Sequence, residues 1–264
     1  MQKTQTAVAR ATAAAAEHAT TQPSIFVAMP VYSSIPAPVV HSLISLCLNR
    51  LYPTIFKTAV DSLVSRARNT LAADFLLETD CTHILWWDSD IIATPDQVAR
   101  LVSHDEAIVG GLYAIKSERR LKWVLNPLDE PTIDNRGLVK VRNIGTGFLL
   151  IKREVLETMI NRLPEIAFND DYVTGHTEWD FFPVGVREDY DGVLKYESED
   201  WGFCRLARDL GFAVYADPAV TVKHIGTTVY PLPNQCSRVY EQFHLPTTGK
   251  AAQASQSYEK RKSR

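Results

Sequence analysis

The chain has 264 residues, 45% of them hydrophobic, with 28 Lys and Arg against 31 Asp and Glu for a net charge of −3. That length and apolar share suffice to bury one large core, while the near-neutral charge excludes a protein that wraps nucleic acid electrostatically. The four cysteines, Cys47, Cys81, Cys204 and Cys236, are scattered with no CxxC pair, which reads as reduced thiols in a cytoplasmic protein rather than disulfides or a zinc site.

Residues 1–22 are polar and Ala-rich, lack the apolar middle of a secretory signal, and read as a flexible arm. SIFVAMPVY (24–32) is a buried first strand, followed by helical spacing in PAPVVHSLISLCLNRL. TIFKTAV is the next strand, and DSLVSRARNTLAADFLLET a helix with Asp61 or Ser62 as its N-cap. THILWWD is a third strand, TPDQVARLVS a helix capped by Thr94 with Pro95 in its first turn, and EAIVGGLY another strand. This alternation predicts an α/β sandwich with a largely parallel sheet, whose ligands bind beyond the carboxyl ends of the strands.

Further on, GLVKVRNIGTGFLLIKREVLETMI gives strand, glycine-bearing connection, strand and helix. Residues 164–197 form a looser stretch rich in turn formers and aromatics, the kind of long loop that is commonly functional. SEDWGFCRLARDLGFAVYADPAVTVKHIGTT then gives a helix, a short strand and a strand ending at His224. The organisation expected is one domain over 23–246 and a flexible basic tail over 247–264. No run of apolar residues is long enough for a transmembrane helix, and no signal for an oligomeric state is present.

The chemistry concentrates where HILWW runs into Asp88-Ser89-Asp90 before II resumes. Buried carboxylates neutralise or find a cation. Two at the end of a core strand suit Mn²⁺ or Mg²⁺ shared with water and phosphates, although short acidic pairs also occur in solvated turns. His224 is the candidate second ligand, against the plainer reading of a packed or surface histidine. Gly145 and Gly147 suit either a close backbone approach to a ligand or a tight strand entry.

Five blocks then carry a resemblance: FVAMPVYSS (26–34), SLVSRARNTLAADFL (62–76), HILWWDSDI (83–91), NIGTGFLLIKREV (143–155) and SEDWGFCRLARDLGFAVYADPAVTVKHIG (198–226). In that order the chain resembles the nucleotide-sugar glycosyltransferases of GT-A fold, especially family-two-like members of bacteria and large DNA viruses. The resemblance implies a Rossmann-like three-layer sandwich with a central, mostly parallel mixed sheet, and a metal-dependent hexosyltransferase using a UDP-sugar donor. It puts Pro30, Val31 and Tyr32 over the base and ribose, and brings Arg66, Arg68 and Asn69 to the nucleotide. Two residues apart on a helix, Arg66 and Arg68 cannot both point one way, so at most one reaches phosphate.

The resemblance further makes Asp90 the direct metal ligand with His224, with Asp88 assisting and Ser89 between them at the donor. Gly145 and Gly147 lie under the donor sugar. Asp200 is the general base of an inverting transfer and Glu199 its partner, beside the ordinary reading of acids behind a helix cap at Ser198. Trp179, Asp180 and Trp201 are acceptor candidates, with Asp180, Asp189 and Asp191 competing as base. The implied acceptor is a glycan or another hydroxyl compound, a modified nucleic-acid base included. A nucleotidyltransferase making sugar nucleotides is the main rival, but AMPVYSSIPAP lacks the glycine-rich loop it would need. A catalytically silent binding protein of the same fold is the other.

Overall fold

The computed structural model describes residues 22–116, 122–169, 177–188 and 192–226, together with the backbone of 229–230. Apart from Gln22, the arm expected over 1–22 lies outside the described residues, as do the tail over 247–264, Cys236, and the competing acids Asp189 and Asp191.

The first half alternates as the apolar pattern predicts: β1 (Ile25–Val31), α1 (Ala37–Asn49), β2 (Thr54–Val60), α2 (Val64–Glu78), β3 (His83–Trp87), β4 (Ile91–Ile92), α3 (Pro95–Ser103) and β5 (Ile108–Leu112). Next come β6 (Leu125–Pro127), β7 (Val139–Ile144), β8 (Phe148–Lys152) and α4 (Arg153–Arg162). The looser stretch forms a short 3₁₀ turn, Pro164–Ile166, and two small ribbons: β9 (Ala167–Asn169) with β10 (Thr177–Trp179), and β11 (Gly185–Glu188) with β12 (Leu194–Glu197). The chain continues through α5 (Glu199–Asp209), β13 (Val214–Thr221), β14 (Lys223–Ile225) and β15 (Val229–Tyr230).

Among the described residues the main sheet runs β2-β1-β3-β8-β5-β13-β7-β6. β1 is parallel to β2 and β3, and β13 to β5, whereas β8 runs antiparallel between β3 and β5, and β7 antiparallel between β13 and β6. Side chains of one strand alternate between two cores. Phe26, Ala28, Ile84 and Trp86 pack with Leu71 and Phe75 of α2, Val155 of α4 and Phe203 of α5. Ile25, Val27, Met29, Leu85 and Trp87 pack with Val39 and Leu46 of α1 and Val98 and Leu101 of α3. Helices thus cover both faces, giving the expected three-layer α/β sandwich around a mostly parallel, mixed sheet.

Two local expectations change. α2 begins at Val64, with Leu63 at the N-cap position and no side-chain cap. Asp61 acts earlier, taking the Leu63 amide at 2.8 Å and the Arg66 guanidinium, so its oxygens serve the turn before the helix. His224 does not end a strand; it sits in the middle of β14, opposite Ile91 of β4. The apolar residues resume after Asp90 because Ile91 and Ile92 form this short antiparallel pairing, closed by the Ile225 amide donating to the Asp90 carbonyl at 2.7 Å. The α3 start is as read: Thr94 and Gln97 make a reciprocal capping box, with Pro95 in the first turn.

Candidate active site

β1, β3 and β5 end on one rim of the sheet, and because β8 runs the other way it starts there. The Asp88 amide donates to the Gly147 carbonyl at 2.9 Å, stitching the end of β3 to the start of β8. An open depression of about 170 Å³ on this rim is lined by Pro30, Val31 and Tyr32 after β1, by Asp61, Ser62, Val64 and Ala67 at the start of α2, and by Asp88, Ser89 and Asp90. Of the residues expected around a nucleotide, Pro30, Val31, Tyr32, Asp88, Ser89 and Asp90 share this pocket, whereas Arg66, Arg68, Asn69, Gly145 and Gly147 are outside its lining. Asp61, which sequence reasoning took only for a helix cap, is in the wall. Arg66 is not; its guanidinium is held by Asp61 at 2.5 and 2.8 Å.

Arg68 lies one helical step away and is only 2% exposed. Its Nη2 donates to Asp88 Oδ1 at 2.9 Å, its Nε lies 3.8 Å from Glu199 Oε1, and the guanidinium sits 5.3 Å over the Trp86 ring. Burial alone would drive its proton off, but the two carboxylates hold it charged and above its ordinary value. Nε and Nη1 are buried with no hydrogen-bond partner among the described residues. Asn69 is not turned to the depression: its amide donates to Asp180 at 2.9 Å and its oxygen accepts the Phe182 amide at 3.1 Å, which ties α2 to the 180–182 turn.

The β4–β14 pairing brings Asp90 to His224, with Oδ2 3.4 Å from Nε2. His224 Nδ1 lies 2.8 Å from the Ala114 carbonyl; with a proton held there, Nε2 either donates a second proton toward Asp90 or, without it, offers its lone pair to a cation. Asp90 Oδ1 is buried with no hydrogen-bond partner among the described residues, while Oδ2 also takes the Lys116 ammonium. Burial pushes the Asp90 carboxyl up, but His224 and Lys116 outweigh it and hold the group below 3.8. One acid oxygen and one ring nitrogen suit a divalent cation whose other positions belong to water and phosphate. Among the described residues no three His, Cys, Asp or Glu side chains gather into a metal cluster. Of the Asp88 oxygens, Oδ1 is engaged by Arg68.

Gly145 and Gly147 have a packing reason that their own segment could not reveal. A Cβ on Gly145 would meet the Tyr113 hydroxyl at 2.1 Å and Val124 at 2.7 Å; one on Gly147 would meet Tyr113 at 2.8 Å and Asp88 Oδ2 at 3.0 Å. Their missing side chains make room for a buried tyrosine. The Tyr113 hydroxyl accepts the Gly147 amide at 2.9 Å. Burial, reinforced by Asp88 and Asp200, keeps that hydroxyl protonated well beyond its usual range.

The second acidic pair opens α5. Asp200 Oδ1 accepts the Ser198 hydroxyl and, at 2.9 Å, the Trp201 amide. Burial raises its pKa above 3.8, against the pull of the Ser198 hydroxyl and of Arg68. Burial also raises Glu199 above 4.5; Arg68 opposes this and Asp200 adds to it. Ser198 occupies the N-cap but its side chain makes no capping bond; its hydroxyl donates to Asp200, whose Oδ1 also takes the Trp201 amide. Arg68 is the shared contact: two acidic pairs more than a hundred residues apart in the sequence meet across one buried guanidinium.

The acceptor candidates separate. Trp179 is buried in the core and stacks at a tilt on Phe181, with ring centroids 6.2 Å apart. Asp180 is spent on Asn69. Trp201 lines a cleft of about 620 Å³ between α5, the β6–β7 edge of the main sheet and the β11–β12 ribbon. Among the described residues no helix is long and apolar enough to cross a membrane, and Cys47, Cys81 and Cys204 are free thiols.

No protein-family model matches the chain, and no curated protein does. Solved structures do match. One is GalNAc-T7 with UDP, GalNAc and Mn²⁺, at 11% identity and TM-score 0.46, over 84% of this chain and 48% of that one. Residues 1–349 of S. aureus TarS match at 10% identity and TM-score 0.39, over 74% of this chain and 60% of that one. A 4-diphosphocytidyl-2C-methyl-D-erythritol synthase from Anaerococcus prevotii DSM 20548 matches at 7% identity and TM-score 0.32, over 56% of this chain and 80% of that one. This chain spans about half the length of the first and three-fifths of the second; at these identities the likeness is one of chain path.

Proposed function

We propose that this chain is a metal-dependent glycosyltransferase that moves a sugar from a nucleoside-diphosphate donor, UDP-linked by preference, to a hydroxyl acceptor with inversion. The observation that carries it is the meeting of the two acidic pairs at the Arg68 guanidinium on the ligand-binding rim of the sheet. In this reading Pro30, Val31 and Tyr32 form the wall against which the nucleoside rests, and the Asp61 carboxylate faces it as hydrogen-bond acceptor. Asp90 and His224 hold Mn²⁺ or Mg²⁺, which supplies positive charge to a departing diphosphate when bound.

Asp200 takes the proton of the attacking hydroxyl. Its burial suits it: a carboxylate with a raised pKa is a stronger base than a solvated one. Glu199 and Asp88, both on Arg68, fix where the donor and acceptor halves stand relative to each other. Arg68 acts here as the post between the acids rather than as a surface cation seeking phosphate. A carbohydrate-binding protein without catalysis would have no use for a buried base opposite a cation-ready carboxylate.

The test is a screen of nucleotide sugars against the full chain, reading thermal stabilisation and donor hydrolysis with and without Mn²⁺. Stabilisation by one nucleotide class that requires the metal supports the reading. No Mn²⁺-dependent response to any nucleotide sugar, or products that retain the anomeric configuration, would remove respectively the donor site and the single-base mechanism.

A further inference from the structure

We propose that the cleft lined by Trp201 is the acceptor subsite, and that its occupant is an uncharged carbohydrate chain rather than a polyanion. The proposal rests on the glycosyltransferase reading and names what that reading leaves open, the chemical class of the acceptor.

Position comes first. The cleft holds about 620 Å³, within the range of small-molecule sites. It is separated from the acid cluster only by the thickness of the chain that opens α5. Glu197 lies in the cleft wall, the Ser198 hydroxyl and the Trp201 amide both bond Asp200, and the Trp201 side chain returns to the cleft. The base is thus the chain neighbour of Trp201 in the cleft wall.

Lining chemistry comes second. Trp201 and Tyr196 are the aromatic residues of the wall, and Tyr196 is 67% exposed although no core requires it there. Large amphipathic rings with one wet edge offer the apolar face of a sugar ring a surface to stack on. Around them, Asn126 and Asn143 each offer an amide that both donates and accepts, which matches a vicinal diol.

Charge decides the class. The described lining holds five Lys and Arg against four Asp and Glu, and three of its four guanidiniums, those of Arg142, Arg187 and Arg205, are already paired with acids. Arg205 Nε is bonded to Glu197 at 2.9 Å and Nη1 lies 3.5 Å from Asp209; Arg187 reaches the same Glu197 at 3.2 Å, and Arg142 is held by Asp129. A nucleic acid or a sulfated or phosphorylated glycan would have to displace these carboxylates and then lie against them. Neutral hydroxyls can instead bond the outward N–H and oxygen edges that each pair keeps.

The experiment uses the full chain with a panel of neutral oligosaccharides (maltohexaose, cellohexaose, chitohexaose, mannohexaose) against a sulfated oligosaccharide and a single-stranded oligodeoxynucleotide. Binding is read by ligand-observed NMR. The expected result is binding of at least one neutral oligosaccharide, little changed between roughly 50 and 200 mM salt, a range over which phosphate-driven binding falls by orders of magnitude. Tyr196→Ala, at an exposed position that folding does not need, and Trp201→Ala should each weaken it at least tenfold. Binding of the polyanions alone, no binding by the neutral panel, or neutral binding indifferent to both substitutions overturns the proposal. A chain that binds the neutral oligosaccharide through Tyr196 but shows no Mn²⁺-dependent nucleotide-sugar response keeps the subsite and loses the transferase reading.

Discussion

The acids that end β3 and the acids that begin α5 are nearly alike in sequence, two carboxylates beside a core element, and the protein treats them in opposite ways. Asp90 is ringed by positive or proton-donating groups, His224 and Lys116, and is held ionised below its ordinary value. Glu199 and Asp200 are buried with less compensation and are pushed up. An acid held down keeps its charge beside a cation, here the Lys116 ammonium; an acid pushed up binds a proton more readily. The difference comes from tertiary neighbours, since both pairs follow the same kind of apolar or capping signal in the chain.

The sharpest way to break this contrast is Asp200→Asn, which keeps shape and removes basicity. Transfer to acceptor should fall by roughly 10²–10⁴ with nucleotide and metal affinity kept, measured as single-turnover rates beside direct donor titration. Wild-type transfer in that variant would hand the role of base to another acid, Asp180 being the described competitor. Removing the post between the pairs comes next. Arg68→Met should cost about 3–5 kcal/mol of unfolding free energy, because it leaves buried acids without their cation. Denaturant melts check this, and Arg68→Lys should restore only part of it, since an ammonium cannot fork between two acids. A melt unchanged in Arg68→Met would mean the acids neutralise freely and that nothing couples the pairs.

At the other pair, Asp90→Ala should weaken Mn²⁺-dependent nucleotide binding by at least the roughly 10–100-fold that outer partners of metal ligands are worth. His224→Ala should do less, and calorimetry with and without the metal separates the two. The smallest effect is in pH dependence. Glu199 and Asp200 have folded-state pKa values raised above 4.5 and 3.8, so the folded state resists their ionisation. Their contribution to stability is therefore full below those values and declines as pH rises through the folded ones. Stability measured from pH 4 upward in Glu199→Gln and Asp200→Asn should fall less steeply than in the wild type; parallel curves would remove the contrast at its physical root.

Reading the sequence reached the sandwich because its signals are local: apolar runs, the Thr94–Gln97 box and the switch in periodicity each lie within one element. It reached the two acidic pairs because charge beside an apolar strand or helix start is conspicuous. What it missed is non-local. Gly145 and Gly147 are answered by Tyr113, more than thirty residues away, a packing reason that their own segment could not show. Arg68 was separated from Arg66 by helix geometry, but its depth is set by Trp86, Asp88 and Glu199. Asn69 looked like a base reader because its true partners sit in the 180–182 turn. Asp61 was read as a helix cap, and only the fold of β1 against β2 sets it beside Tyr32.

The antiparallel β8 has a consequence for how the protein is made. β3 and β5 are both emitted early, but neither neighbours the other: β8 fills the space between them, pairing Lys152 with His83 on one side and Ile151 with Ile108 on the other. A nascent chain that ends at β5 leaves one apolar edge of β3 bare and β5 with no partner, since its other neighbour, β13, is made later still; bare edges of this kind recruit stray chains. Synthesis must continue through residue 152 before β8 can cover β3 and join it to β5, and the rim that carries Asp88 takes its shape in the same event, when the Gly147 carbonyl at the start of β8 arrives beside the Asp88 amide. Covering that edge of β3 and completing this part of the rim are therefore one step.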